Sequence, residues 1–226
     1  MILGVLDQSP IRSGGTPTEA IQETLILAEH ADRLGYTRYW LAEHHSSGGL
    51  AGAAPEVLMG QVAARTSRIR VGSGGVMLSH YSPLKVAENF RVLEALFPGR
   101  IDLGIGRAPG SDQRTARALR HGPGAVPLEH FPQQLADLIG FLHDELPDGH
   151  PYRGVRAMPA GPTAPPIWIL GSSSDGAALA AHFGTAFSYA HFINAVGGVD
   201  ATRFYRESFR PSVRLAAPQA SVGVFA

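Results

Sequence analysis

Short apolar runs rich in β-branched and aromatic residues alternate along the chain with longer stretches in which apolar residues recur every three or four positions. The first pattern predicts buried strands and the second predicts amphipathic helices. Seven strands are expected, over 2–6, 37–42, 69–76, 101–105, 167–171, 185–190 and 221–226, with six helices near 17–34, 54–65, 83–97, 132–145, 174–183 and 197–209. The first helix carries the fullest signals: Thr16 caps it, Pro17 suits its first turn, Glu19 completes a capping box and Gly35 ends it. Ile21, Leu25, Ala28 and Leu34 then share one face. Ser82-Pro83 opens the third helix in the same way, and Val86, Phe90, Leu93 and Phe97 form its stripe. Two segments break the alternation. Residues 107–128 are rich in Arg, Gly and Pro, and residues 146–166 hold six prolines, so both read as long loops able to cover a site.

Repeated βα units predict a mainly parallel sheet with helices packed on it, in one domain spanning 1–226. A closed barrel of this kind needs eight strands and about 250 residues. The expectation is therefore an α/β chain with a (β/α)8 TIM-barrel-type fold that stops after its seventh strand, with edges left unpaired at the gap. A dinucleotide-binding sheet is disfavoured, because Asp7-Gln8-Ser9-Pro10 is not a glycine-rich phosphate turn. The later Gly104-Ile105-Gly106 lacks the third glycine, and Pro109 interrupts the helix start that such a turn requires.

Composition narrows the chemistry. The 226 residues are 44% apolar and 17% charged, enough to build a sizeable core. Nineteen basic residues balance nineteen acidic ones, so no excess charge points to nucleic acid or an anionic membrane surface. With no cysteine there is no disulfide, thiolate nucleophile or thiolate metal site. The opening Met-Ile-Leu-Gly-Val-Leu-Asp lacks a basic leader, and no run approaches membrane-spanning length, so a cytoplasmic protein is expected.

Reactive side chains gather at strand ends: Asp7, Glu43-His44-His45, Ser73-Gly74-Gly75, Arg107, Ser172-Ser173 and His191. In a parallel barrel those ends share one rim. A neutral imidazole at His44, with Glu43 beside it, suits a proton donor or acceptor near neutral pH, whereas a lone strand-end histidine such as His45 is as often a packed residue. The glycines at 74 and 75 let a flat ligand reach the backbone, or simply make a turn. Gly171-Ser172-Ser173-Ser174 joins a strand to a helix, and its amides suit a phosphate or a plain helix cap. Arg107 can clamp a phosphate with two parallel hydrogen bonds. Arg114, Arg117 and Arg120 recur at helical spacing and read as a solvated face.

Taken together, these motifs resemble the bacterial luciferase-like flavin monooxygenase family. The matching stretches are Leu6 to Pro10, Trp40 to His45, Arg70 to Gly75, Pro83 to Glu94, Asp102 to Arg107, and Ile169 to Ser173. The resemblance implies a barrel that binds reduced FMN at its mouth, delivered by a separate NAD(P)H-dependent reductase, where O₂ yields a flavin hydroperoxide that oxygenates a small organic substrate. It also implies that His44 is the catalytic histidine with Glu43 and His45 as neighbours, and that Gly74-Gly75 forms a cis peptide against the flavin face. By the same resemblance Ser73 lies with Gly74 and Gly75 on the cofactor, while Ser172, Ser173 and Arg107 hold its phosphate. His80, Tyr81, His191 and Phe192 are expected to line a partly aromatic substrate pocket, and a homodimer is expected through helices near the second and third strands. Asp175 sets a carboxylate near the phosphate seat, where it is unfavourable unless it turns away. Three other readings stay open: a deazaflavin-dependent oxidoreductase on the same barrel, a metal-dependent hydrolase using His44 and His45, and a non-catalytic flavin-binding subunit.

Overall fold

A computed structural model of the chain describes residues 2–107, 111–119 and 128–225. Pro109 and Arg120 lie outside the described residues. Eight strands, β1 (Gly4–Asp7), β2 (Arg38–Leu41), β3 (Arg70–Ser73), β4 (Val76–Met77), β5 (Ile101–Gly106), β6 (Ile167–Gly171), β7 (Ala186–Ala190) and β8 (Ala220–Gly223), form one parallel sheet. Its order is β1-β2-β3-β5-β6-β7-β8, with β4 beside β5. β3 and β4 are the single third strand expected from the sequence, broken by a bulge at Gly74-Gly75, whose peptide is cis. The sheet curls into a nearly closed barrel with an unsealed seam, because β1 pairs only with β2 and β8 only with β7 among the described residues.

The helices α1 (Pro17–Arg33), α2 (Pro55–Arg65), α3 (Pro83–Leu96), α5 (Phe131–His143), α6 (Ser174–Phe183) and α7 (Gly198–Ser208) fall where periodicity puts them. α1 starts with a complete capping box: Glu19 N–H donates to Thr16 Oγ1 at 3.2 Å and Thr16 N–H donates to Glu19 Oε2 at 2.7 Å. Leu25 and Ala28 pack inward as expected, but Leu34 is the C-cap and stands 75% exposed. α3 carries Pro83 at its first turn without a side-chain bond from Ser82. A further short helix, α4 (Gln113–Leu119), occupies part of the segment expected to be loop. Asp112 starts it, accepting from the N–H groups of Arg114 and Thr115 at 2.8 and 3.0 Å.

Register assigns the two faces of the sheet. Val5, Tyr39 and Val71 are in line, and Tyr39 faces the helix layer, where its hydroxyl donates to Asp7 Oδ2 at 2.6 Å and reaches the Thr24 carbonyl of α1. Leu6, Trp40 and Gly72 therefore face the barrel interior. There Trp40 meets Trp168 edge-on at 5.5 Å between ring centroids. Gly72 is required beneath them, because a Cβ at that position would stand 2.5 Å from the Trp40 ring. At the strand starts, fully buried Asp102 accepts from Arg38 Nε at 3.2 Å and Arg70 Nε at 2.8 Å, and the Arg38 guanidinium lies over Trp168. This plug occupies the amino-terminal end of the interior, opposite the rim at which the strands end.

Of the two long segments, only the second is described throughout. Arg107 leaves the end of β5 at the mouth, whereas residues 146–166 join the end of α5 to the start of β6 and belong to the plugged end. The expectation that both cover the site is corrected for the second. That segment instead wraps α3, where buried Arg91 donates to the carbonyls of Leu142, Pro159 and Gly161.

Candidate active site

Four consecutive strands of the sheet, β2, β3 with β4, β5 and β6, deliver the expected residues to the mouth. Just past β2, Glu43 is buried and fully engaged. Its Oε2 accepts from Met77 N–H at 3.0 Å, and its Oε1 accepts from the Tyr81 hydroxyl at 2.7 Å and lies 2.7 Å from His45 Nε2. A carboxylate only accepts, so His45 carries its proton on Nε2. His80 meets both His45 and Tyr81 edge-on, each at 6.1 Å between centroids. Glu43, His45, His80 and Tyr81 thus form one cluster that ties the loop after β2 to the segment following the bulge.

His44 is half-buried beside this cluster, and its Nδ1 is buried with no partner among the described residues. Burial, followed by the neighbouring His45 charge, lowers its proton affinity and keeps the ring neutral at neutral pH. Glu56, at the second position of α2, is a member of the rim that sequence reasoning missed. Burial pushes its carboxyl up, and the Glu43 charge adds to that push. In the sequence an acidic residue after Pro55 is indistinguishable from an ordinary helix-start acid.

Ser73 is fully buried, and its hydroxyl donates to Gly104 O at 2.8 Å while accepting from Gly104 N–H at 3.0 Å. It bridges β3 and β5 where the bulge interrupts the ladder. Gly75 and Gly104 touch backbone to backbone: a Cβ on Gly75 would meet Gly104 O at 2.8 Å, and one on Gly104 would meet Ser73 O at 2.0 Å. Close packing alone thus requires these glycines, and the outcome is a wall of bare backbone.

Arg107, after β5, donates from Nη2 to Asp175 Oδ2 at 3.1 Å. Ser172 and Ser173 lie at the join of β6 and α6, and Ser173 is the N-cap of α6 without a side-chain cap bond. Asp7 does not reach the site chemistry: its carboxylate accepts from Tyr39 and from Ser9 N–H at 2.7 Å, inside the wall under α1. His191 is exposed, and Phe192 packs against Phe225 near β8, so this pair sits at the seam side of the rim while His80 and Tyr81 sit with Glu43. Among the described residues no three His, Asp or Glu side chains gather as a metal ligand set.

Fold and rim together define a parallel βα-barrel protein whose chemistry-bearing residues converge at the carboxyl-terminal mouth. The chain belongs to the luciferase-like monooxygenase family, whose model matches residues 1–219. It is 52% identical over 223 residues to the uncharacterized protein YwcH of Bacillus subtilis, covering 99% of this chain and 67% of that protein. It is 47% identical over 192 residues to the N-acetyl-S-alkylcysteine monooxygenase of the same organism, covering 85% of this chain and 57% of that protein. The crystal structure of apo-MsnO8 superimposes with a TM-score of 0.89 at 42% identity, covering 99% of this chain and 65% of that one. The chain thus spans about two thirds, or less, of the length of these relatives. Two more distant structures share the fold, each with a TM-score of 0.71. One is the oxygenating constituent of 3,6-diketocamphane monooxygenase in complex with FMN at 19% identity, the other an F420-dependent secondary alcohol dehydrogenase at 15%. No helix among the described residues is long and apolar enough to cross a membrane.

Proposed function

We propose that this chain is the flavin-binding barrel of a monooxygenase that uses reduced FMN and O₂ to oxygenate a small organic substrate. The observation that carries this reading is the convergence, at the ends of consecutive strands, of an unpartnered buried imidazole nitrogen, a bare backbone bulge, and an arginine beside a helix start. These features fit FMN in three parts: a flat ring against Gly74-Gly75, His44 Nδ1 near the ring edge, and the phosphate toward Arg107, Ser172 and Ser173. When bound, the flavin supplies the electrons and the oxygen chemistry.

The chain's own residues then bind, orient and move protons. His44, neutral at neutral pH, offers Nδ1 as acceptor or donor to the oxygenated substrate. Glu43 and Tyr81 hold the loop that carries His44, and His45 carries its Nε2 proton into that network. His80 and Tyr81 give one side of the substrate cavity an aromatic, half-polar lining, with His191 and Phe192 closing the seam side. A separate NAD(P)H-dependent reductase supplies the reduced flavin. A homodimer through α2 and α3 is supported by Val57, Val92 and Leu96, large apolar side chains exposed on the outer faces of those helices. A non-membrane, cytoplasmic setting accords with this chemistry.

The test is an anaerobic titration with reduced FMN and, separately, with the reduced deazaflavin F420, followed by mixing with O₂. Wild-type protein should bind reduced FMN and delay the release of hydrogen peroxide, and His44→Ala should release it about tenfold or more faster. Binding of the deazaflavin alone overturns the choice of FMN, and identical release from His44→Ala removes His44 from the chemistry.

A further inference from the structure

The two groups assigned above to the flavin phosphate already share an anionic neighbour. Arg107 leaves the end of β5, and Ser173 caps α6 at the end of β6, with Gly106 and Leu170 paired in register just below. Asp175 lies in the first turn of α6, where its carboxylate meets the partial positive charge of the helix start, and it accepts from Arg107 Nη2 at 3.1 Å. It therefore pairs with the arginine that would receive a phosphate and lies in the first turn of the helix beside it.

We propose that Asp175 is an internal stand-in for the phosphate, holding Arg107 in place when no flavin is bound and limiting how tightly the phosphate is retained. The proposal rests on the reading of Arg107 and Ser173 as the phosphate seat. A phosphate dianion offers Arg107 a bidentate partner, which the single Nη2 to Oδ2 contact does not, so the guanidinium changes partner on binding. Asp175 must then turn toward water, as its 64% exposure permits, and its charge still repels the bound phosphate. A seat built this way keeps its arginine ordered while empty and lets go readily. That suits a flavin that arrives from another protein and leaves after each turnover.

The test compares FMN with riboflavin, which lacks only the phosphate, by quenching of flavin fluorescence on titration with the 226-residue chain. Asp175→Asn should tighten FMN about fivefold and leave riboflavin unchanged, the size of effect expected for an exposed charge pair. Asp175→Glu keeps the charge and should match wild type. If wild type prefers FMN but Asp175→Asn leaves FMN affinity unchanged or lower, the stand-in role is overturned while the phosphate seat survives. If Asp175→Glu tightens FMN as Asp175→Asn does, charge is not the cause and the role is likewise overturned. Equal binding of FMN and riboflavin by both wild type and Asp175→Asn overturns the seat itself, and the proposal with it. Melting curves of the variants confirm that differences arise from binding rather than loss of fold.

Discussion

Glu43 shows what single side chains do at this rim. It is buried beside a histidine pair, and its carboxylate holds His45 of that pair together with Met77 N–H and the Tyr81 hydroxyl from the segment after the bulge. Glu43→Gln puts an amide donor against at least one of Met77 N–H, Tyr81 O–H and His45 Nε2–H, so it should cost about 1–3 kcal/mol. Tyr81→Phe removes one donor and should cost about 1 kcal/mol. Urea unfolding midpoints measure both, and unchanged midpoints would show that the cluster adds nothing to stability. A second histidine matters at the plugged end. His143 lines a cleft of about 240 Å³ with Arg91, Asp144 and Arg156. Burial, with the Arg214 charge next, pushes it down to about 4 from the ordinary 6.5. The unfolded chain takes up this proton near 6.5 while the folded chain resists it. Stability is therefore complete above pH 6.5 and declines as pH falls toward 4, with half-buried His44 acting in the same direction. His143→Gln should flatten that decline in urea midpoints taken between pH 7 and pH 4, and an equal slope in wild type and variant would exclude His143 as its source.

Among the elements, the third strand decides the shape of the mouth. The apolar run 69–76 reads as one strand, and the structure breaks it after Ser73 so that the chain can bulge against Gly104 and resume beside β5. The two glycines at the bulge were visible, but the partner glycine on β5 was not, because nothing local to residue 104 says what backbone will face it. Gly104→Ala should destabilise by about 3 kcal/mol or more, since its methyl group meets backbone that cannot swing aside. Gly48→Ala, where no atom lies within 4 Å, should stay within about 0.5 kcal/mol of wild type. Thermal melts of the pair separate the two cases, and a silent Gly104→Ala would mean the bulge is looser than drawn. α4 was legible only in part, through the helical spacing of Arg114 and Arg117. Arg, Gly and Pro around it suggest loop, and only the Asp112 cap, a short-range signal, marks its start.

At the scale of the 226-residue chain, the seam left between β1 and β8 among the described residues is the dominant feature. β5 is buried at all six positions, whereas Ile2, Val222, Val224 and Phe225 near the two sheet ends are 59–78% exposed. Unpaired parallel edges with apolar side chains invite association. Sedimentation at rising concentration should show the 226-residue chain associating, and Val222→Lys with Val224→Lys should return it toward monomer. If only Leu96→Glu does so, association runs through the α2 and α3 faces instead. Absence of any association at high concentration would count against both surfaces.

The alternation of strands and helices, the capping of α1 and the parallel architecture were readable from the chain, because each depends on periodicity and on neighbours a few positions apart. Tertiary structure alone decided that Glu43 closes onto Met77 and Tyr81, that Ser73 bonds across to Gly104, that Asp7 stays inside the wall, that residues 146–166 lie at the plugged end, and that Arg107 meets Asp175. Each of these is a contact between segments brought together only when the sheet curls, and its energy comes from distances the linear order does not contain.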